Sequence, residues 1–117
     1  MSSAHRLWKY RIQHMLDAIT ECQSFVLGMT QDQLGQDART LNAIAFDLVI
    51  LGEAARHVPP EIEAAYGTIP WHQVRGMRNH ITHGYDQIDL EIVWKVVTVE
   101  LPPLVPHLER ILQEAVE

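Results

Sequence analysis

The chain has 117 residues, of which 47% are hydrophobic and 21% charged, and a formal net charge of −6. That length suits one domain with its own core, and the composition excludes a disordered or fibrous chain. The negative balance argues against a protein that coats nucleic acid by bulk attraction. Cys22 is the single cysteine, so no intrachain disulfide can form, which fits a reducing compartment. No opening stretch reads as a signal peptide and no apolar run is long enough to span a bilayer. A cytoplasmic location is therefore expected.

Taken in chain order, the first segment runs from about His5 to Met29. Trp8, Ile12, Met15, Ile19, Cys22, Val26 and Met29 recur at steps of three and four, the mark of an amphipathic helix. Thr30 with Gln33 three residues later predicts a capping box and a short helical turn. A second long helix is expected from Asp37 to Val58, with Leu41, Ile44, Ala45, Leu48, Leu51, Ala55 and Val58 inward. Gly52 inside it costs about 1 kcal/mol against Ala, which a close helix contact would explain.

Pro59 and Pro60 stop that helix, and Pro60 suits the first position of a short one reaching Tyr66. Pro70 then opens a third main helix that carries Val74, Met77 and Ile81 inward and stops at Gly84. A fourth begins within Asp86 to Asp89 and keeps helical spacing from Ile92 to Leu112, with a kink or break near Leu101 where Pro102 and Pro103 intervene. The Val-rich run from Val93 to Val99 could be taken for a strand. Glu91, Lys95 and Glu100 fall opposite its apolar stripe, which favours helix. The fold class expected is all-α, an antiparallel bundle of four or five helices forming one domain over residues 1–117.

From Ala64 to Tyr85 the chain holds no Asp or Glu, yet it carries Arg75, Arg78, His72, His80 and His83. A cationic patch on an acidic body suits a confined anionic ligand. Arg is always charged and can grip two phosphate oxygens at once, while His exchanges protons near neutrality. In an ideal helix Arg78 and His83 differ in direction by roughly 140°, so a straight helix would not aim both at one small ligand. Either the helix ends early and His83 turns, or two copies complete one cleft across a two-fold axis; the second is favoured. His80 and His83 lack further ligands at zinc-like spacing, so no metal or other cofactor is expected. Arg78 could instead pair with a carboxylate such as Glu53, and Arg75 and His80 could guide RNA or simply be solvated.

Arg78 and Asn79 followed by His83 resemble the Arg-x4-His signature of the HEPN superfamily of small helical ribonucleases. The surrounding landmarks resemble its HepT-like toxins: Leu51-Gly52-Glu53-Ala54-Ala55, Ile69-Pro70-Trp71, Gly76-Met77-Arg78-Asn79, His83-Gly84-Tyr85, Ile88-Asp89 and Val93-Trp94. The resemblance implies a metal-independent endoribonuclease toxin of a toxin–antitoxin system, acting on RNA as a homodimer or larger assembly. It implies that Arg78, Asn79 and His83 are catalytic. It also implies that a minimal nucleotidyltransferase antitoxin silences the toxin by adding AMP to Tyr85. Seven residues separate Tyr85 from Arg78, which would place both on nearly one face if the helix continued. The alternative is a non-catalytic helical binding module that partners a nucleotidyltransferase.

Overall fold

The computed structural model describes residues 8–84 and 87–114. Among them, helices pack against helices throughout, as expected. α1 (Trp8–Val26) and α3 (Ala38–Arg56) form the most extensive helix pair. Trp8, Ile12, Met15, Ile19 and Cys22 of α1 meet Ile44, Leu48, Leu51 and Ala55 of α3, and all are buried. Covering each such Leu or Ile contributes roughly 1.5–3 kcal/mol, so the stripes read from the sequence hold this pair together. α1 ends at Val26, three residues before Met29, and Gly28 takes φ 80° in the turn that follows. The expected start near His5 lies outside the described residues.

α2 (Gln31–Gly35) is the short turn that reverses the chain. Thr30 Oγ1 accepts from the Gln33 N–H at 3.1 Å, while Gln33 Oε1 accepts from the Thr30 N–H at 2.8 Å. That is the predicted capping box. Asp37 caps α3 by accepting from the Thr40 N–H at 3.1 Å. α4 (Pro60–Ala65) starts on Pro60, whose missing N–H costs nothing at a first helical position.

The third main helix departs from expectation. It is two short helices, α5 (Trp71–Arg75) and α6 (Met77–Ile81), with the axis broken at Gly76. Neither reaches Gly84. Thr82 Oγ1 donates to the Arg78 carbonyl at 2.9 Å, and the Thr82 backbone turns extended at φ −120°. β1 (Thr82–His83) then pairs antiparallel with β2 (Gln87–Ile88), matching Thr82 with Ile88 and His83 with Gln87. Gly84 takes φ 66° in the connecting turn, a conformation that favours glycine.

α7 (Leu90–Lys95) starts after its cap, Asp89, one residue beyond the expected start region. It widens into a π-helical turn, Val96–Glu100, in which the Leu101 N–H donates to the Val96 carbonyl at 2.8 Å. Pro102 and Pro103 supply no N–H, so the regular ladder cannot continue. α8 (Leu104–Glu114) resumes after this break and buries Leu104, Leu108 and Ile111. The interruption near Leu101 is thus where the two prolines place it. Among the described residues no helix is long and apolar enough to cross a membrane.

Candidate functional site

Gly52 sets the site's platform. A Cβ there would lie 3.0 Å from the Val74 carbonyl oxygen, 3.4 Å from that of Arg75 and 3.6 Å from Met77 Cβ. Only a residue without a side chain lets α5 and α6 lie this close to α3. The close contact expected at Gly52 is therefore present, and it presses the helix bearing Arg78 against the core. Val74, Met77 and Ile81 anchor the inner face, leaving Arg78, Asn79 and His80 exposed on the outer one.

Two clefts flank this outer face. The smaller, about 190 Å³, runs between α3 and α6 and is lined by Glu53, Arg56, Arg75, Arg78 and Asn79 among others. The larger, about 580 Å³, is floored by Val74, Met77, Leu101 and Leu104 and edged by His72, Asn79, His80 and Glu100. Asn79 stands on the ridge between them, touching both. Glu53 pairs with Arg56 at 3.5 Å rather than with Arg78. Among the described residues no carboxylate lies within ion-pair distance of Arg78, so its guanidinium is available to an anion.

Arg75 is placed differently. Its guanidinium donates to Glu63 Oε2 at 2.5 Å, on a half-buried pair. The stretch without acids in the sequence is thus partly neutralised in space by residues just outside it. Among the described residues His80 has no such partner, and it lines the larger cleft.

His83 lies on β1, past the end of α6, and its side chain is 67% exposed. It lines neither cleft. Its Nε2 is 2.5 Å from Asp89 Oδ2. Asp89 Oδ1 accepts from the Ile92 N–H at 3.0 Å, and the Asp89 N–H donates to the Ile81 carbonyl at 2.8 Å. The Ile92 N–H, with His83 adding to it, holds the Asp89 carboxyl below the usual carboxylate range. The sequence placed Asp89 only where the fourth helix begins, which it caps, and the role of its second oxygen was missed. The legible signal was a carboxylate six residues after a histidine with a glycine turn between.

Tyr85 lies outside the described residues. The seven-residue spacing no longer argues that it shares a face with Arg78, because α6 stops at Ile81. Among the described residues no group of three or more His, Cys, Asp or Glu side chains is arranged to hold a metal ion.

On adjoining elements the domain offers an arginine with no carboxylate partner among the described residues and a histidine anchored by Asp89, side chains of the kind that handle phosphate. The family model described as Ribonuclease HepT-like matches residues 15–111, and the chain belongs to that family. Among curated relatives, "Putative RNase TTE0752" of Caldanaerobacter subterraneus is 27% identical over 103 residues, covering 88% of this chain and 92% of its own. "Probable ribonuclease HepT" of Thermococcus cleftensis is 26% identical over 106 residues, covering 91% of this chain and 96% of its own. "Putative RNase MJ0127" of Methanocaldococcus jannaschii is 27% identical, covering 86% and 83% respectively. No solved structure matches the chain significantly.

Proposed function

We propose that the protein is an endoribonuclease toxin that cleaves RNA without a metal, using Arg78, Asn79 and His83. The observation that supports this best is the pairing of an exposed Arg78, with no carboxylate partner among the described residues, with a His83 whose ring is held by Asp89. Both stand in a chain of the HepT-like ribonuclease family. In the reaction, His83 takes the proton of a ribose 2′-hydroxyl as that oxygen attacks the neighbouring phosphorus. The O2′–P bond forms, the P–O5′ bond breaks, water gives a proton to the departing O5′, and His83 then returns its proton to solvent. The products are a 2′,3′-cyclic phosphate and a 5′-hydroxyl end. Arg78 steadies the charge that builds on the phosphoryl oxygens, and Asn79 orients the phosphate. Placed proton transfer is typically worth 10²–10⁴-fold, and placed charge often more.

The two catalytic groups sit in different surroundings, Arg78 on the cleft against α3 and His83 on the hairpin. A two-fold homodimer that brings Arg78 of one copy to His83 of the other would join them in one site. His80, on the larger cleft, would guide the RNA strand. Arg75 would contribute less, since Glu63 already holds it. Silencing would come from a nucleotidyltransferase antitoxin that adds AMP to Tyr85, placing an anion two residues from His83 where it would compete with the substrate phosphate.

The test is incubation of adduct-free protein with transfer RNA in excess chelator, beside His83→Ala and Arg78→Ala. Cleavage by the parent alone, with cyclic-phosphate ends, is the expected result. No cleavage by a folded, dimeric parent would overturn the ribonuclease reading and leave a helical binding module that partners a nucleotidyltransferase.

A further inference from the structure

Asp89 does two things at once. One carboxylate oxygen receives the Ile92 N–H at the start of α7, and the other meets His83 Nε2. Its own N–H is tied to the carbonyl of Ile81, the last residue of the motif helix. The residue is therefore fixed from three directions, and its free oxygen has one place to point. The β1–β2 pairing of His83 with Gln87 brings the imidazole to that oxygen.

We propose that Asp89 is the positioning residue of the site: it holds the His83 ring in the tautomer with the proton on Nε2 and so leaves Nδ1 as the nitrogen that receives the 2′-hydroxyl proton. The chemistry follows from what each group can donate. An ionised carboxylate only accepts, so the nitrogen facing it must carry hydrogen. In a neutral imidazole the other nitrogen is then the bare one. A histidine free to sample both tautomers and several rotamers would present the correct nitrogen only part of the time. This inference rests on the ribonuclease reading for its catalytic meaning, though not for its structural content.

Capping alone would also explain why an aspartate stands here, and two substitutions separate the roles. Asp89→Ser keeps a good cap but is too short to reach the ring. Asp89→Asn keeps the cap through its carbonyl oxygen, which the Ile92 N–H occupies, and so turns its amide NH2 towards His83. That amide donates, so it demands a bare Nε2 and drives the proton to Nδ1. The isosteric variant should therefore be the worse enzyme, a ranking that a purely structural role would not produce.

The experiment combines steady-state cleavage of a defined RNA with ¹⁵N spectroscopy of the histidine ring nitrogens in full-length protein. His83 is assigned by its loss in His83→Ala. The parent is expected to show the Nε2–H tautomer, Asp89→Ser a mixture, and Asp89→Asn the Nδ1–H tautomer. The kcat of Asp89→Asn should fall at least about 100-fold with KM little changed, and that of Asp89→Ser should lie between it and the parent. Parent-like kcat in both variants, or a parent ring already protonated on Nδ1, overturns the proposal. A parent that never cleaves RNA refutes the ribonuclease reading instead, while the tautomers still decide whether Asp89 sets the ring.

Discussion

Replacing Gly52 with alanine sets two known effects against each other. Alanine gains about 1 kcal/mol over glycine in a helix interior. The new methyl would stand 3.0 and 3.4 Å from two successive carbonyl oxygens, Val74 and Arg75. Both belong to backbone, so neither can rotate aside, and relief requires α5 and α6 to move together. Overpacking of this kind costs about 1–3 kcal/mol. The net expectation is a loss of about 1 kcal/mol, or roughly 3–6 °C in Tm for a chain of this size. Urea unfolding followed by circular dichroism measures it. Gly35→Ala is the internal comparison. There the added Cβ meets Leu90 Cδ2 at 2.7 Å, but that is the tip of a flexible side chain, so the loss should be smaller or absent. Because the motif helix must back away in Gly52→Ala, the proposed RNA cleavage should also slow at temperatures where the variant is fully folded. A variant as stable as the parent, with an unchanged m value, would refute the claim that this contact is closed.

Asp47 is buried on α3 with no hydrogen-bond partner for Oδ2 among the described residues, and burial together with neighbouring Glu21 pushes its carboxyl up to about 7. Its folded value lies above its unfolded one, so its contribution to stability is present below about pH 4 and is lost as pH rises to about 7. Asp47→Asn should accordingly stabilise the protein at pH 8 by about 1–4 kcal/mol and have little effect at pH 4, as read by urea titrations at the two pH values. Cys22 is fully buried and its thiol is pushed up to about 12, chiefly by desolvation. Iodoacetamide at pH 8 should leave it unmodified in the folded protein and alkylate it in urea, by intact mass; rapid labelling without denaturant would contradict the burial.

Much of the fold was legible because its signals are local. The three-four spacing of Ile12, Met15 and Ile19, the Thr30–Gln33 box and the paired prolines each act within a turn or two of chain. The region carrying Arg78 to His83 was less legible for the opposite reason. Ile81 ends its helix because Thr82 bonds back to Arg78 and the chain then pairs with Gln87 and Ile88, residues beyond a turn. Two-residue strands have too little alternation to register as a pattern. Asp89 left only the faint signal of its spacing from His83, and Glu63 left none, because both lie outside the motif and meet it only after folding. The choice of Arg78, Asn79 and His83 came from ordered landmarks along the chain, and the structure adds how differently Arg78 and His83 are supported.

The hairpin that carries His83 has only two residue pairs, and a ladder that small is not stable by itself in water. What keeps it closed is the Asp89 N–H to Ile81 bond at one end and the seating of α7 beyond it. The amides of this segment should exchange with solvent through a small local opening rather than through global unfolding, ahead of those in α1 and α3. Any ligand that requires His83 in place must bind the closed form, and each bound molecule then protects those amides in proportion to its affinity. Hydrogen exchange at residues 82–84 and 87–89 would thus report occupancy of the site directly, for substrate, inhibitor or partner alike, with no need for turnover.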